Sequence, residues 1–240
     1  MISAASAGHP FTTETPEVCP PAKTQWASVA AAPLTTLFAA FSSRLGGDVE
    51  PLADDAILRL VEQARAGDVG ARRQLYTQHV DRVFRTVRGM VRSDADAEDV
   101  MQDALWTVLT SLHKYAPRAD VRFAAWVTTI AVNTVRRRFR RRRPELTATG
   151  ELPDTPYSAT DPADDLDRAR QRRALLVALA ELPDRERTIV SLRYGAELNA
   201  TEIAATVGVE PAAVRKILER ARTRLGARID TLLSPDGGMS

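Results

Sequence analysis

At 240 residues the chain has room for one ordinary domain or two small ones. Aliphatic residues and alanine dominate a hydrophobic content of 44% while aromatics supply only 5%, a balance that favours packed helices over an aromatic-rich β sandwich or barrel. The net charge of +2 hides a sorting of charge into blocks, the lone Cys19 excludes an internal disulfide, and no window holds the roughly 18 apolar residues of a membrane span. Neither export nor membrane insertion is expected, and a cytoplasmic protein is.

Residues 1–51 are rich in Ala, Thr, Ser and Pro and predict a mostly disordered extension. Within it, Leu34, Leu37, Phe38, Phe41 and Leu45 fall on one face between Pro33 and Gly46, which predicts one short amphipathic helix over 34–45. It packs on its own domain or docks on a partner; the sequence leaves both open.

From Asp54 the helical punctuation is dense. DDAILRLVEQARAG reads as a helix with aspartates at its N-cap and an end at Gly67, and Asp68 opens a second helix carrying Ala71, Leu75, Val80, Val83, Phe84, Val87 and Val91 inward. A third helix starts near Asp94–Asp96 with Val100, Ala104, Leu105, Val108, Leu109 and Leu112 as its apolar stripe. The fourth, after the loop HKYAPRADVR, turns Phe123, Val127, Ile130, Ala131 and Val135 inward and runs into seven arginines between Arg136 and Arg143. Residues 52–143 thus predict a four-helix bundle.

Pro144 stops the pattern, and residues 144–167, acidic and proline-rich with no basic residue, predict a flexible linker. Helices resume over 168–230, followed by a short tail, 231–240. The most specific pattern is NATEIAATVGVEPAAVRKILERARTRL. Asn199 and Glu202 have capping-box spacing, Gly208 suits the positive φ that ends a helix, and Pro211 suits the first position of the next. Val214, Leu218, Ala221 and Leu225 form a buried stripe, and Arg215, Lys216, Glu219, Arg220, Arg222 and Arg224 lie opposite it. This is the grammar of a helix-turn-helix whose second helix reaches base edges and phosphates in a major groove, as against a hairpin with a merely charged outer face.

The third helix adds a second signal. DADAEDVMQDALW sets Asp99, Gln102, Asp103 and Trp106 at i, i+3, i+4 and i+7, with Asp96 and Glu98 beside them. Acids in a first turn complement the helix dipole, which accounts for Asp96 and Glu98 but fades by Asp103.

Taken in order, DAEDVMQDAL, FAAWVTTIAVNTVRRR and ALAELPDRERTIVSLRYGAELNATEIAATVGVEPAAVRKILERARTRL resemble regions two and four of bacterial RNA polymerase sigma factors of the extracytoplasmic-function group. The resemblance implies an all-α fold of two small helical domains, region two over 52–143 and region four over 168–230, joined by the acidic linker. It implies a cytoplasmic initiation subunit, not an enzyme, that binds core RNA polymerase and promoter DNA and is held by an anti-sigma factor. By the same resemblance Asp96, Glu98, Asp99, Gln102 and Asp103 dock on the polymerase. Tyr115, Arg118, Arg122, Phe123, Trp126, Asn133, Arg136 and Arg137 serve the −10 element, where aromatic and guanidinium planes stack on unpaired bases. Arg215, Lys216, Glu219, Arg220 and Arg222 serve the −35 element. For Phe123 and Trp126 core packing stays open as an alternative. Ile217 and Glu219 depart from the family pattern, and Glu219 either accepts from a cytosine or pairs with Arg215.

No metal-ligand spacing, phosphate-binding glycine loop or cofactor motif stands out, and His9, His79 and His113 are scattered. Two other readings are a stand-alone helix-turn-helix regulator, which predicts a symmetric operator, and a small recombinase, which lacks a recognisable nucleophile constellation.

Overall fold

A computed structural model describes residues 50–118, 121–142 and 162–234, so the helix predicted over 34–45 and most of the acidic linker lie outside the described residues. Four helices build the first group: α1 (Asp54–Arg65), α2 (Val69–Arg88), α3 (Asp94–Thr110) and α4 (Phe123–Arg142), with a 3-10 turn at Leu112–Lys114. Their starts follow local chemistry. Asp68 accepts from the Ala71 N–H at 3.0 Å and Ser93 from the Asp96 N–H at 3.1 Å, each satisfying a donor that the helix leaves orphaned. At α1 the sequence expectation is off by one: Ala53 is the N-cap, without a side-chain bond, and Asp54 and Asp55 sit in the first turn, where they complement the dipole.

The core of this group joins Leu60 and Val61 of α1, Leu75, Val83, Phe84 and Val87 of α2, Val100, Leu105 and Val108 of α3, and Phe123, Val127, Ala131 and Val135 of α4. Arg65 ties the following loop down. Its Nε and Nη2 donate to the Leu112 carbonyl at 3.0 and 2.9 Å, and Nη2 also reaches the Tyr115 carbonyl.

The second group holds α5 (Pro162–Glu181), α6 (Asp184–Val190) with a π turn at Ser191–Gly195, α7 (Ala200–Val207) and α8 (Pro211–Leu233). Helix α5 begins inside the span predicted as linker; a proline lacks only an N–H that a first turn does not use. Helix α8 likewise runs past the predicted domain end to Leu233. The Arg170 guanidinium donates to the Leu233 carbonyl at 3.4 Å and Arg228 pairs with Glu181 at 2.8 Å, holding α5 along α8.

The sequence treats the two groups as separate, yet they meet directly. Helix α4 is buried on a second side: Ala125 and Val132 share a core with Ile189, Leu192, Leu198, Ile203, Ala204 and Val214 of the second group. Gly195 lies against α2 so closely that a Cβ there would stand 2.9 Å from the Thr86 Cα.

His79 is the polar oddity of the first core. It is only 4% exposed, its ring stacks edge-on against Phe123 at 5.2 Å, and neither ring nitrogen has a hydrogen-bond partner. Burial, with help from Arg82, drives its pKa from the usual 6.5 down to about 3. A buried neutral imidazole binds fewer protons than the unfolded one, so its penalty is absent above pH 6.5 and grows as pH falls toward 3. His79→Phe removes two orphaned nitrogens and keeps the ring contact, and it is expected to be at least as stable as wild type near neutrality. Urea midpoints at about pH 7 and pH 5 check the sign: the wild type loses up to ~1.4 kcal/mol per pH unit more than the variant over this interval.

Candidate nucleic-acid interface

The helix-turn-helix is assembled by its caps. The Asn199 side chain accepts from the Thr201 and Glu202 N–H groups, both at 3.0 Å, and the Glu202 carboxylate accepts in return from the Asn199 N–H at 2.9 Å. Gly208 ends α7 with φ 71°, in the left-handed region that glycine occupies without strain, and Pro211 starts α8. Val214, Ala221 and Leu225 then face the core, with Leu218 partly buried against it. Arg215, Lys216, Glu219, Arg220 and Arg222 all lie exposed on the far side, as a helix entering a groove requires. Arg224 is tied to Glu186 at 2.8 Å.

The acidic face of α3 divides in two. Asp96 and Asp99 both face Arg138 of α4, at 3.6 and 2.7 Å, and Glu98 is half-buried. Gln102, Asp103 and Trp106 stand exposed, Trp106 at 71%. An indole left that open on a helix surface is a candidate contact.

The residues expected to face opened DNA are dispersed by burial. Tyr115 (6% exposed) and Phe123 (3%) are core residues, packed edge to face at 4.9 Å. Trp126 lies beside them, 5.3 Å from Tyr115 and 5.5 Å from Phe123, with one side open. In this conformation Tyr115 and Phe123 thus hold Trp126 in place and present no face of their own. Arg118 is exposed, and Asn133, Arg136 and Arg137 share an exposed face of α4. The arginine run splits by face: Arg136 and Arg137 point to solvent, Arg138 to the acids of α3, and Phe139 is tucked against the core.

Arg122 is committed elsewhere. Its Nε and Nη2 donate to the two Glu202 carboxylate oxygens at 2.8 and 2.9 Å, and Nη2 also donates to the Glu197 carbonyl at 3.2 Å. Glu202 is 0% exposed; burial raises its pKa, but Arg122 and the Asn199 N–H outweigh that and leave it below the usual carboxylate range. Arg82 and Arg85 of α2 face the Glu197 carboxylate at 3.8 and 3.5 Å. The sequence reading missed both arginines, because they sit among the inward Val83, Phe84 and Val87 and carry no motif. Their i, i+3 spacing was the one available signal.

Residues 75–145 match the family described as Sigma-70 region 2, and residues 178–226 the family described as Sigma-70, region 4. The RNA polymerase sigma factor CarQ of Myxococcus xanthus is 34% identical over 165 residues, spanning 69% of this chain and 92% of its own. The chain belongs to the RNA polymerase sigma factors. Its place in the extracytoplasmic-function group rests on relatives such as the sigma factor BldN of Streptomyces coelicolor, 31% identical over 175 residues, 71% of this chain and 66% of BldN. Among solved structures, CnrH in complex with the cytosolic domain of CnrY is similar at a TM-score of 0.53 and 26% identity, covering 72% of this chain and 96% of that one.

In this sigma factor the cap of α7 is the part most easily tested. Asn199→Ala deletes the side-chain acceptor for two N–H groups and is expected to cost about 1 kcal/mol. Thermal unfolding of the two proteins side by side checks it; an unchanged midpoint would mean the cap is not formed in solution.

Proposed function

We propose that this sigma factor docks on core RNA polymerase through the exposed half of the α3 face, Gln102, Asp103 and Trp106, with Asp99 at its border and Asp96 and Glu98 behind it. Complementary charge orients such a docking and speeds it, and the exposed indole supplies apolar area. The region-four helix α8 reads the −35 element with Arg215, Lys216, Glu219, Arg220 and Arg222. The region-two bundle serves the −10 element: Asn133, Arg136 and Arg137 hold phosphates, and Trp126, propped by Tyr115 and Phe123, offers a stacking face to an unpaired base, with Arg118 and Arg122 flanking it. The work proposed is binding and strand capture.

The observation that carries this reading is the capped helix-turn-helix with its open basic face, in one chain with a region-two bundle that bears an exposed acidic and aromatic helix. A cytoplasmic location belongs to the same proposal, because the polymerase it would serve works there. The similarity to CnrH, solved in complex with the cytosolic domain of CnrY, supports an anti-sigma partner as well.

Run-off transcription by purified core polymerase, on a pool of promoter fragments, tests the whole reading. Start sites absent with core alone are expected when the protein is added. Asp103→Arg is expected to lower them at least ~10-fold while leaving the fold intact, because Asp103 is exposed. Alanine at Lys216 or Arg220 is expected to reduce the salt slope of promoter binding by about 1 per phosphate lost. Absence of any new start with the wild-type chain overturns the proposal.

A further inference from the structure

The proposed function leaves α1 without a task, yet the last side chain of α1 reaches the loop behind the stacking platform. Arg65 donates from Nε and Nη2 to the Leu112 carbonyl at 3.0 and 2.9 Å, and Nη2 also donates to the Tyr115 carbonyl. Its Nη1 pairs with Glu62 at 2.8 Å, one turn back on the same helix. An arginine suits this position because its donors lie in one fixed plane and meet two carbonyls at once. A lysine offers a single charge on a swinging stem.

The mount is rigid. Ala64, next in the chain, is 0% exposed, and its carbonyl accepts from the Arg72 Nε at 3.1 Å and from the Gly67 N–H at 3.2 Å, so the end of α1 is fixed to the start of α2. What Arg65 holds is the direction of one side chain. The Tyr115 N–H donates to the Leu112 carbonyl at 3.1 Å, and the Tyr115 carbonyl is held by Arg65. Both peptide planes that flank the Tyr115 Cα are thereby fixed, and with them the direction of its Cβ. The ring then lies 4.9 Å from Phe123 and 5.3 Å from Trp126. Burial pushes the Tyr115 phenol up, with Asp54 adding to the effect and Arg65 opposing it, so the ring stays uncharged and packs as an apolar prop.

We propose that Arg65 is a positioning residue for strand capture. It touches no DNA; it holds Tyr115, and through Tyr115 the open face of Trp126 on which an unpaired base stacks. The inference rests on the reading of Trp126 as the stacking platform of a sigma factor.

The first test reads the platform without polymerase. In a full chain carrying Trp26→Phe and Trp106→Phe, Trp126 is the sole tryptophan. Adding Arg65→Gln is expected to raise its acrylamide quenching constant at least ~2-fold, because the ring beside it loses its fixed backbone. Arg65→Lys keeps the charge beside Glu62 and one donor, and is expected to fall between. Arg59→Gln breaks an exposed pair with Asp55, 2.8 Å long, on the same helix and is expected to leave quenching unchanged. Parent-like quenching in Arg65→Gln overturns the proposal. So does an equal rise in Arg59→Gln, since the stability of α1 and not the anchor would then be responsible. If Arg65→Gln does not fold, Arg65→Lys decides, and parent-like quenching in that variant overturns the proposal.

The second test reads the function in holoenzyme, on a promoter that the wild-type protein opens. Arg65→Gln is expected to bind core polymerase as the wild type does, while the permanganate reactivity of thymines in the −10 element falls at least ~5-fold. Arg65→Lys is expected to recover part of that loss. Unchanged reactivity in Arg65→Gln overturns the positioning role. A wild-type chain that opens no promoter counts against the sigma-factor reading, and the quenching series then judges the anchor by itself.

Discussion

The carboxylate of Glu202 is where the two halves of this sigma factor are joined. One oxygen accepts from Arg122 at 2.8 Å, the other from Arg122 at 2.9 Å and from the Asn199 N–H at 2.9 Å. With 0% exposure it cannot turn to solvent for a partner, so it stands ionised only because both domains supply donors. The same side chain thus caps α7 and fixes where α7 lies on α4. The Arg122 side chain stays 38% exposed, and water screens its half of the pair. The ion pair therefore sets register more than it adds strength, and the apolar contacts of Ala125 and Val132 with Ile203 and Leu198 hold the faces together.

Position on a helix, and not composition, decides what each arginine does. Arg136 and Arg137 are exposed because α4 turns that face outward; one residue on, Arg138 meets Asp99 across the α3–α4 packing, and Phe139 covers the core edge. The charge run is thus partly structural. Arg138 neutralises the inner half of the α3 acidic face and leaves Gln102, Asp103 and Trp106 of the outer half exposed. The two predicted binding surfaces of the bundle are linked through that one guanidinium.

Much of the local structure was legible in the sequence, because caps and periodicity are written in short range. Asn199, Glu202, Gly208 and Pro211 each stand in the role their spacing implies, and the inward stripes of α2 and α3 are the observed core. What the sequence did not disclose lies between elements. A capping-box glutamate looks the same whether or not a distant arginine also holds it. Arg82 and Arg85 carry no motif, and an aromatic near a loop reads equally as a base platform or as core until the bundle is built, which is why the sequence leaves Phe123 open between the two and gives Tyr115 a promoter role by resemblance alone. Helix α4 did hold a clue. FAAWVTTIAV is apolar on nearly every side, and a helix apolar all round is covered all round.

The second covered side of α4 explains the register in which the two domains meet. It offers small residues, Ala125, Thr129 and Val132, to a cluster that holds Ile189, Leu192, Leu198, Ile203 and Val214, and the Thr129 and Thr206 hydroxyls are hydrogen-bonded across it at 3.1 Å. Small side chains let the helices approach closely enough for the region-four aliphatics to cover Ala125 and Val132 and to keep water from Glu202, whereas a larger residue on α4 would hold the faces apart. The buried carboxylate then allows one register alone, the one in which Arg122 and the Asn199 N–H both reach it.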